Sequence, residues 1–131
     1  MPRTQKAYDS LKFDTAKHNL TLLPLDLSDL KGTRSFARLA LEKVKQDKID
    51  YLLLNAAISD GSEGPGPNGS KWSEPYIVNH LAQHYLVHLL RDKLVESKSR
   101  VVVVSSGAVK QVEDPGMISP TLASALNRKP Y

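Results

Sequence analysis

The chain has 131 residues, of which 40% are hydrophobic and 24% are charged, a composition typical of one globular domain rather than of a disordered segment. The sequence contains no cysteine, which excludes disulfides, thiolate nucleophiles and zinc sites built on thiolates. The net charge of +4 comes from basic residues scattered among acidic ones, without the basic stripe typical of nucleic-acid binding, so we expect no nucleic-acid partner.

The first half of the chain predicts two helices on either side of a short strand. Residues 4–18 carry a thin apolar stripe that is typical of a surface helix. The apolar run at residues 20–25 has the length of a strand, although its proline has no N–H to donate to a sheet and favours an edge position. Ser28 and Asp29 are N-cap candidates for an amphipathic helix over residues 30–47.

The second half predicts two strands around a long helix. Residues 49–54 are almost continuously apolar, as expected of a strand buried in a parallel sheet. A loop rich in glycine and proline follows at residues 59–70, and it does not have the pattern of a phosphate-binding loop. Residues 72–96 predict a helix that is apolar over a wide arc, and the β-branched residues at 100–104 predict a strand. The polar residues 110–131 contain three prolines and predict a loop.

No part of the sequence predicts membrane insertion. The N-terminal residues are polar and lack the apolar segment of a signal peptide. The longest apolar run is far too short to cross a bilayer. We therefore expect a cytoplasmic protein with no membrane partner.

The alternation of helices and strands predicts an α/β fold with a parallel sheet and right-handed crossovers. In such sheets, ligands bind beyond the carboxyl ends of the strands. The three predicted strands end at Asp26, at Asn55–Ala57 and at Ser105–Gly107. These segments combine a carboxylate, an amide and two hydroxyls with small residues that let a ligand approach the backbone.

Four of these segments resemble the short-chain dehydrogenase/reductase family, in the family's order and at about its spacing. Asp26–Asp29 resembles the segment whose aspartate contacts the adenine ring of the cofactor. Leu54–Ala57 resembles the Asn-Asn-Ala-Gly motif, with leucine for the first asparagine and alanine for the glycine. Val78–Leu81 lies where the family has its active-site asparagine, and Val103–Ser106 resembles the strand that ends at the catalytic serine.

The resemblance implies a doubly wound, Rossmann-like parallel sheet and hydride transfer between NADP or NAD and a small-molecule alcohol or carbonyl. It implies Ser106, which would hold the substrate oxygen, and Asn79 as catalytic residues. It also implies a set of cofactor-binding residues, namely Asp26, Leu27, Asn55, Ala56 and Ala57.

The sequence departs from the family at two motifs. It has no Gly-x-x-x-Gly-x-Gly loop for the cofactor phosphates, and no Tyr-x-x-x-Lys follows Ser106. The only tyrosine after Ser106 is the final residue, Tyr131, which we do not assign as a proton donor. We expect residues 1–108 to form a partial Rossmann-like domain, truncated at both ends and lacking the first strand, with a polar tail at 109–131. Such a chain would be inactive or weakly active alone, unless it is a fragment of a longer product.

The sequence leaves other interpretations open. Without the missing strands, the segment at 20–25 would either pair directly with the strand at 49–54 or stay detached. Asp26 also suits a helix cap, and Asn55 a turn at the end of a strand. An asparagine on an apolar helix is expected to be buried and to need partners, which favours a specific role for Asn79.

The long helix offers a different function class. His80, His84 and His88 form a helical stripe, but no third type of ligand is placed nearby, so we predict an interface rather than a metal site. The alternative function is a non-catalytic interaction module, in which helix 72–96 mediates homo- or hetero-oligomer formation.

Overall fold

The computed structural model describes residues 2–12, 14, 16–59 and 66–106, with side chains from residue 5 onward. Half of the predicted loop at 59–70 and the whole predicted tail at 109–131 therefore lie outside the described residues. None of the described helices is both long enough and apolar enough to cross a membrane.

From α2 onward, helices and strands alternate in the order that the sequence predicts. The strands β1 and β2 pair in parallel, with Tyr51 opposite Arg100 and Leu54 opposite Val103. This pairing confirms the α/β class and the parallel sheet. The elements are α1 (Pro2–Ser10), α2 (Leu30–Val44), β1 (Tyr51–Leu54), a 3-10 turn (Pro67–Gly69), α3 (Glu74–Tyr76), a π-helical turn (Ile77–Leu81), α4 (Ala82–Ser97) and β2 (Arg100–Val103).

Helix α2 begins after Asp29, one of the two N-cap residues predicted from the sequence. The Asp29 side chain accepts a hydrogen bond of 2.9 Å from the backbone N–H of Lys31, so Asp29 rather than Ser28 is the N-cap. Helix α1 ends eight residues before its predicted end at residue 18. The Ser10 hydroxyl donates to the carbonyl of Ala7, a local bond that competes with continuation of the helix.

The strand predicted at residues 20–25 is wrong. The described residues between α1 and α2 form no strand, and the side chains of Leu20, Leu22 and Leu25 are exposed. A strand forms only where a neighbouring backbone pairs with it, and Pro24 removes one of the donors from this run. Of the two arrangements left open by the sequence, the structure has the detached one.

The core lies between the helices and one face of β1. Leu54 of β1 packs in a buried cluster with leucines of α4 and with Ala37 of α2. Tyr51 and Leu53 point to the other face because side chains alternate along a strand, and they are 63% and 64% exposed. In the described part of the chain, β1 is therefore covered on one face, and all four residues of β2 are exposed.

The long helix runs from Glu74 to Ser97 in three consecutive pieces, close to the predicted 72–96. Its buried side carries leucines at positions 86, 90 and 94, spaced as one face of an α-helix requires. The π-helical turn at Ile77–Leu81 was not predicted, because it leaves the hydrophobic pattern on either side intact. Lys98 ends the helix in the left-handed conformation, with its N–H directed to the carbonyls of Leu94 and Val95.

Two serines attach the end of α4 to the start of β1. The Ser97 hydroxyl accepts a 3.1 Å hydrogen bond from the backbone N–H of Ile49. The Ser99 hydroxyl donates to the carbonyl of the same residue. Both backbone polar groups of Ile49 are thus satisfied by side chains, just before the ladder of β1 begins.

Candidate functional site

The carboxyl ends of the two strands lie side by side. The N–H of Val104 donates to the carbonyl of Leu54 at 2.9 Å, which carries the pairing one step beyond the strands. Asn55–Ala57 and Ser105–Ser106 therefore leave the sheet at the same edge, and all of them are exposed. The structure thus brings together the predicted residues Asn55, Ala56, Ala57 and Ser106 on one rim, as the parallel topology predicts.

Asn79 ties this rim to the long helix. Its Nδ2 donates to the carbonyl of Ile58 at 2.8 Å, and its Oδ1 accepts from the N–H of Ile58 at 2.9 Å. The Asn79 side chain thus both donates to and accepts from the backbone of one residue, as a neighbouring strand would. It fixes the segment that follows Ala57. The expectation that Asn79 is buried is wrong, since the residue is exposed. Its amide nevertheless has the specific partners that the sequence led us to expect.

Gln83 is a buried residue of this site that the sequence analysis missed. Its side-chain Nε2 lies 2.7 Å from the carbonyl oxygen of Ala56, 3.1 Å from that of Val78 and 3.2 Å from that of Asn79. One signal could have identified it. Gln83 follows Asn79 by four residues, so the two amides share a face of the helix that is otherwise apolar.

Asn79 lies within the π-helical turn. A π turn inserts one extra residue into a helix, and such turns frequently occur at functional sites. Within this turn, the Gln83 side-chain amide donates to the backbone carbonyls of Val78 and Asn79. The turn and Gln83 together shape the part of the helix that faces the end of β1.

Asp26 and Leu27 are separated from the sheet along the chain by α2. The Asp26 carboxylate accepts from the N–H of Ser28 at 2.9 Å and from its hydroxyl at 2.7 Å, which forms a compact Asx turn. Asp26 is therefore not the cap of α2, a role taken by Asp29. No strand carries Asp26 to the rim in the described residues, and its role at a cofactor remains a prediction.

A ladder of rings runs along the outer side of the long helix. The ring centroids of Trp72 and Tyr76 are 4.9 Å apart, those of Tyr76 and His80 are 5.5 Å apart, and those of His80 and His84 are 6.4 Å apart. Among the residues that the structure describes, no group of three or more histidine and acidic side chains is placed to hold a metal ion.

A groove of about 560 Å³ lies beside this ladder, between the start of α2 and the outer side of α4. Lys31 and Arg34 line it from α2, and His84, Tyr85 and His88 line it from α4. None of the predicted catalytic or cofactor residues lines this groove, so it is separate from the rim at the strand ends.

Comparison with known proteins identifies the family. A short-chain dehydrogenase/reductase of Pestalotiopsis microspora is 52% identical over 111 residues, which are 85% of this chain and 38% of that protein. The chain belongs to the short-chain dehydrogenase/reductase family. Dehydrogenase/reductase SDR family member 13 of Bos taurus is 33% identical over 81% of the chain. Retinol dehydrogenase 12 of Homo sapiens is 34% identical over 79% of it. No protein-family model matches the sequence.

Membership of the short-chain dehydrogenase/reductase family confirms the resemblance and makes the α/β fold a Rossmann-like one. The chain covers 38%, 27% and 32% of the length of these three relatives, so it spans well under half of each. The matched relatives are oxidoreductases by name, and the individual roles of Ser106, Asn79 and the rim residues remain predictions.

Proposed function

We propose that this chain provides the strand-end rim of an NAD(P)-dependent short-chain dehydrogenase/reductase, which transfers hydride between the cofactor and an alcohol or carbonyl. The paired hydrogen bonds between Asn79 and Ile58 carry this proposal. They join Val78–Leu81 to Ile58, the residue that directly follows Leu54–Ala57, and both of these segments resemble family motifs. The contact therefore places the two motif-like segments against each other, as a shared site requires.

The chemistry of the rim fits part of a dinucleotide. Ala56 and Ala57 are exposed and small, so a planar ligand can approach their backbone closely. Asn55 adds an exposed amide, and Asp26 and Leu27 would meet the adenine end. When bound, the nicotinamide ring donates or accepts the hydride. On the protein side, the Ser106 hydroxyl would hold the oxygen of the alcohol or carbonyl.

The geometry of Asn79 limits its role in this proposal. Both polar atoms of its side chain are already bonded to Ile58, so the amide is committed to the loop. We therefore propose that the side chain of Asn79 positions the rim and does not itself transfer a proton. This assignment refines the catalytic role that the family resemblance implies.

The 131 residues alone are proposed to turn over NADPH slowly or not at all. They include no Gly-x-x-x-Gly-x-Gly segment to hold the pyrophosphate and no Tyr-x-x-x-Lys after Ser106 to transfer the proton. Binding of the cofactor and its turnover are thus separable, and a binding measurement is the more direct test.

We expect excess NADPH to raise the unfolding temperature of the purified chain. A ligand at about one hundred times its dissociation constant adds about 2.7 kcal/mol to the free energy of unfolding. Thermal unfolding followed by circular dichroism, with NADPH or NADH, measures the shift and shows which cofactor is preferred. Ala57→Leu should abolish the shift by crowding the rim, whereas Ala7→Leu on the exposed side of α1 should preserve it. A cooperative transition whose temperature is the same with and without NADPH or NADH would contradict the proposal.

A second candidate function is association through the long helix. The ladder of Trp72, Tyr76, His80 and His84 lies on the outer side of this helix, and aromatic side chains are enriched in protein interfaces. Val95 near the end of the same helix is also exposed. These features favour a partner chain, which could be a second copy or an intact relative.

Association predicts that the sedimentation coefficient of the chain rises with concentration in the micromolar range. His84→Glu should shift the chain towards monomer, because burying an unpaired carboxylate in an interface is costly. The matched control is His18→Glu, which places the same charge at an exposed position outside the described helices. A monomer at every concentration, or equal effects of the two substitutions, would exclude this function for the helix.

A further inference from the structure

We infer that Gln83 is a positioning residue that holds the cofactor loop at residues 56–58 in its binding conformation. This inference rests on the proposed function, because it concerns the same rim. Its physical basis is the set of three hydrogen bonds from the Gln83 amide, of which the shortest reaches Ala56, the residue at the centre of the Leu54–Ala57 motif.

The orientation of the Gln83 amide follows from its partners. All three neighbours of Nε2 are carbonyl oxygens, which accept hydrogen bonds and cannot donate them. The nitrogen with its two hydrogens must therefore face them. Gln83 is only 7% exposed, so water is poorly placed to replace these bonds if the amide is removed.

Gln83 and Asn79 fix the loop on both sides of Ala57. Gln83 holds the carbonyl of Ala56, and Asn79 holds both the N–H and the carbonyl of Ile58. The residue between them is left open. Ala57 is exposed, and none of the described residues forms a hydrogen bond with its N–H or carbonyl. The side-chain amides of Gln83 and Asn79 thus fix the position of the Ala57 backbone, whose N–H and carbonyl can bind the polar groups of a nicotinamide nucleotide.

The two roles of Gln83, loop positioning and helix stabilisation, predict different results. If Gln83 only satisfies the carbonyls of Val78 and Asn79 in the π-helical turn, its loss lowers global stability and leaves the affinity of the folded chain for cofactor unchanged. If it positions the loop, its loss frees the loop while the core stays closed, and cofactor affinity falls. Local opening and global unfolding are separable by amide hydrogen exchange.

The test compares Gln83→Met, which keeps the size of the side chain without its N–H groups, with the exposed control Gln46→Met. Hydrogen exchange is measured at the N–H of Ile58 and at the N–H of Leu90 in the core, and the NADPH dissociation constant is measured by calorimetry. We expect exchange at Ile58 to accelerate about tenfold or more and the dissociation constant to rise about tenfold, as for a lost buried hydrogen bond. Exchange at Leu90 should stay nearly unchanged, and Gln46→Met should alter neither.

Other outcomes decide against the inference. Equal acceleration at Ile58 and Leu90 shows a purely structural role for Gln83, and a loosened loop with an unchanged dissociation constant shows that the cofactor does not use the loop. If the unsubstituted chain fails to bind NADPH, the proposed function fails, while the exchange data still decide whether Gln83 fixes the loop. If Gln83→Met does not fold, Gln83→Asn keeps the amide but is one methylene too short to reach Ala56, and it must give the same local loosening.

Discussion

Replacing Leu90 with alanine is expected to lower the free energy of unfolding by about 2 to 5 kcal/mol, the range for deleting a buried leucine side chain. Leu90 is 4% exposed and lies in the cluster that joins α4 to Leu54 of β1 and Ala37 of α2. A whole domain is stabilised by only about 5 to 15 kcal/mol. This single change should therefore remove a large share of the free energy of unfolding and lower the urea concentration at which the chain unfolds.

Urea unfolding followed by far-ultraviolet circular dichroism measures this loss. Val95→Ala is the control, because Val95 lies on the same helix and is 70% exposed. Its effect should stay within about 0.5 kcal/mol, as is usual for surface substitutions. Similar small effects of both substitutions would mean that the cluster around Leu90 is not closely packed, and that the isolated chain is a loosely collapsed state rather than a folded one.

The elements that the sequence predicted correctly are those whose own residues determine them. Helix α2 has both a cap at Asp29 and an apolar stripe, and the predicted strands at 49–54 and 100–104 are almost continuously apolar. The predicted strand at 20–25 failed because a strand also needs a partner backbone, which a local pattern cannot supply. The predicted helix at 4–18 had only a thin apolar stripe, so little packing opposed its early end at Ser10.

The candidate site was predictable in part for the same reason. The rim residues Asn55–Ala57 and Ser106 follow apolar strands, and parallel topology brings them to one edge. The contacts of Asn79 with Ile58 and of Gln83 with Ala56 were not predictable, because they join a side chain to a loop backbone more than twenty positions away. The π-helical turn next to these contacts was not predictable either, because the hydrophobic pattern of the sequence does not indicate it.

The long helix holds β1 at both ends through side chains. Gln83 reaches the carbonyl of Ala56 after the strand, and Ser97 reaches the N–H of Ile49 before it. The helix between Gln83 and Ser97 is about 21 Å long at about 1.5 Å per residue. The segment between Ile49 and Ala56 is about 23 Å long at about 3.3 Å per residue. Because the two lengths match, the same helix can satisfy both ends, and a slip of the strand by one residue would break both attachments.

Ser97→Ala is expected to lower the free energy of unfolding by about 1 to 3 kcal/mol, the cost of leaving a buried polar group without its partner. The substitution removes the acceptor of the Ile49 N–H at a site where Ser97 is only 8% exposed. Water cannot easily take the place of the hydroxyl there. Urea unfolding gives the stability change, and hydrogen exchange at Ile49 shows whether the start of β1 opens.

Ser35→Ala is the matched control, since it makes the same chemical change on an exposed face of α2. The Ser35 hydroxyl bonds only to the carbonyl of Lys31 in its own helix, so its loss should change stability by less than about 0.5 kcal/mol. If the strand is held at both ends as described, Ser97→Ala should also speed exchange at Ile58, in the loop that follows β1, more than Ser35→Ala does. Faster exchange at Ile49 alone would mean that the two attachments act independently, and that the core leucines by themselves fix the position of β1 against α4.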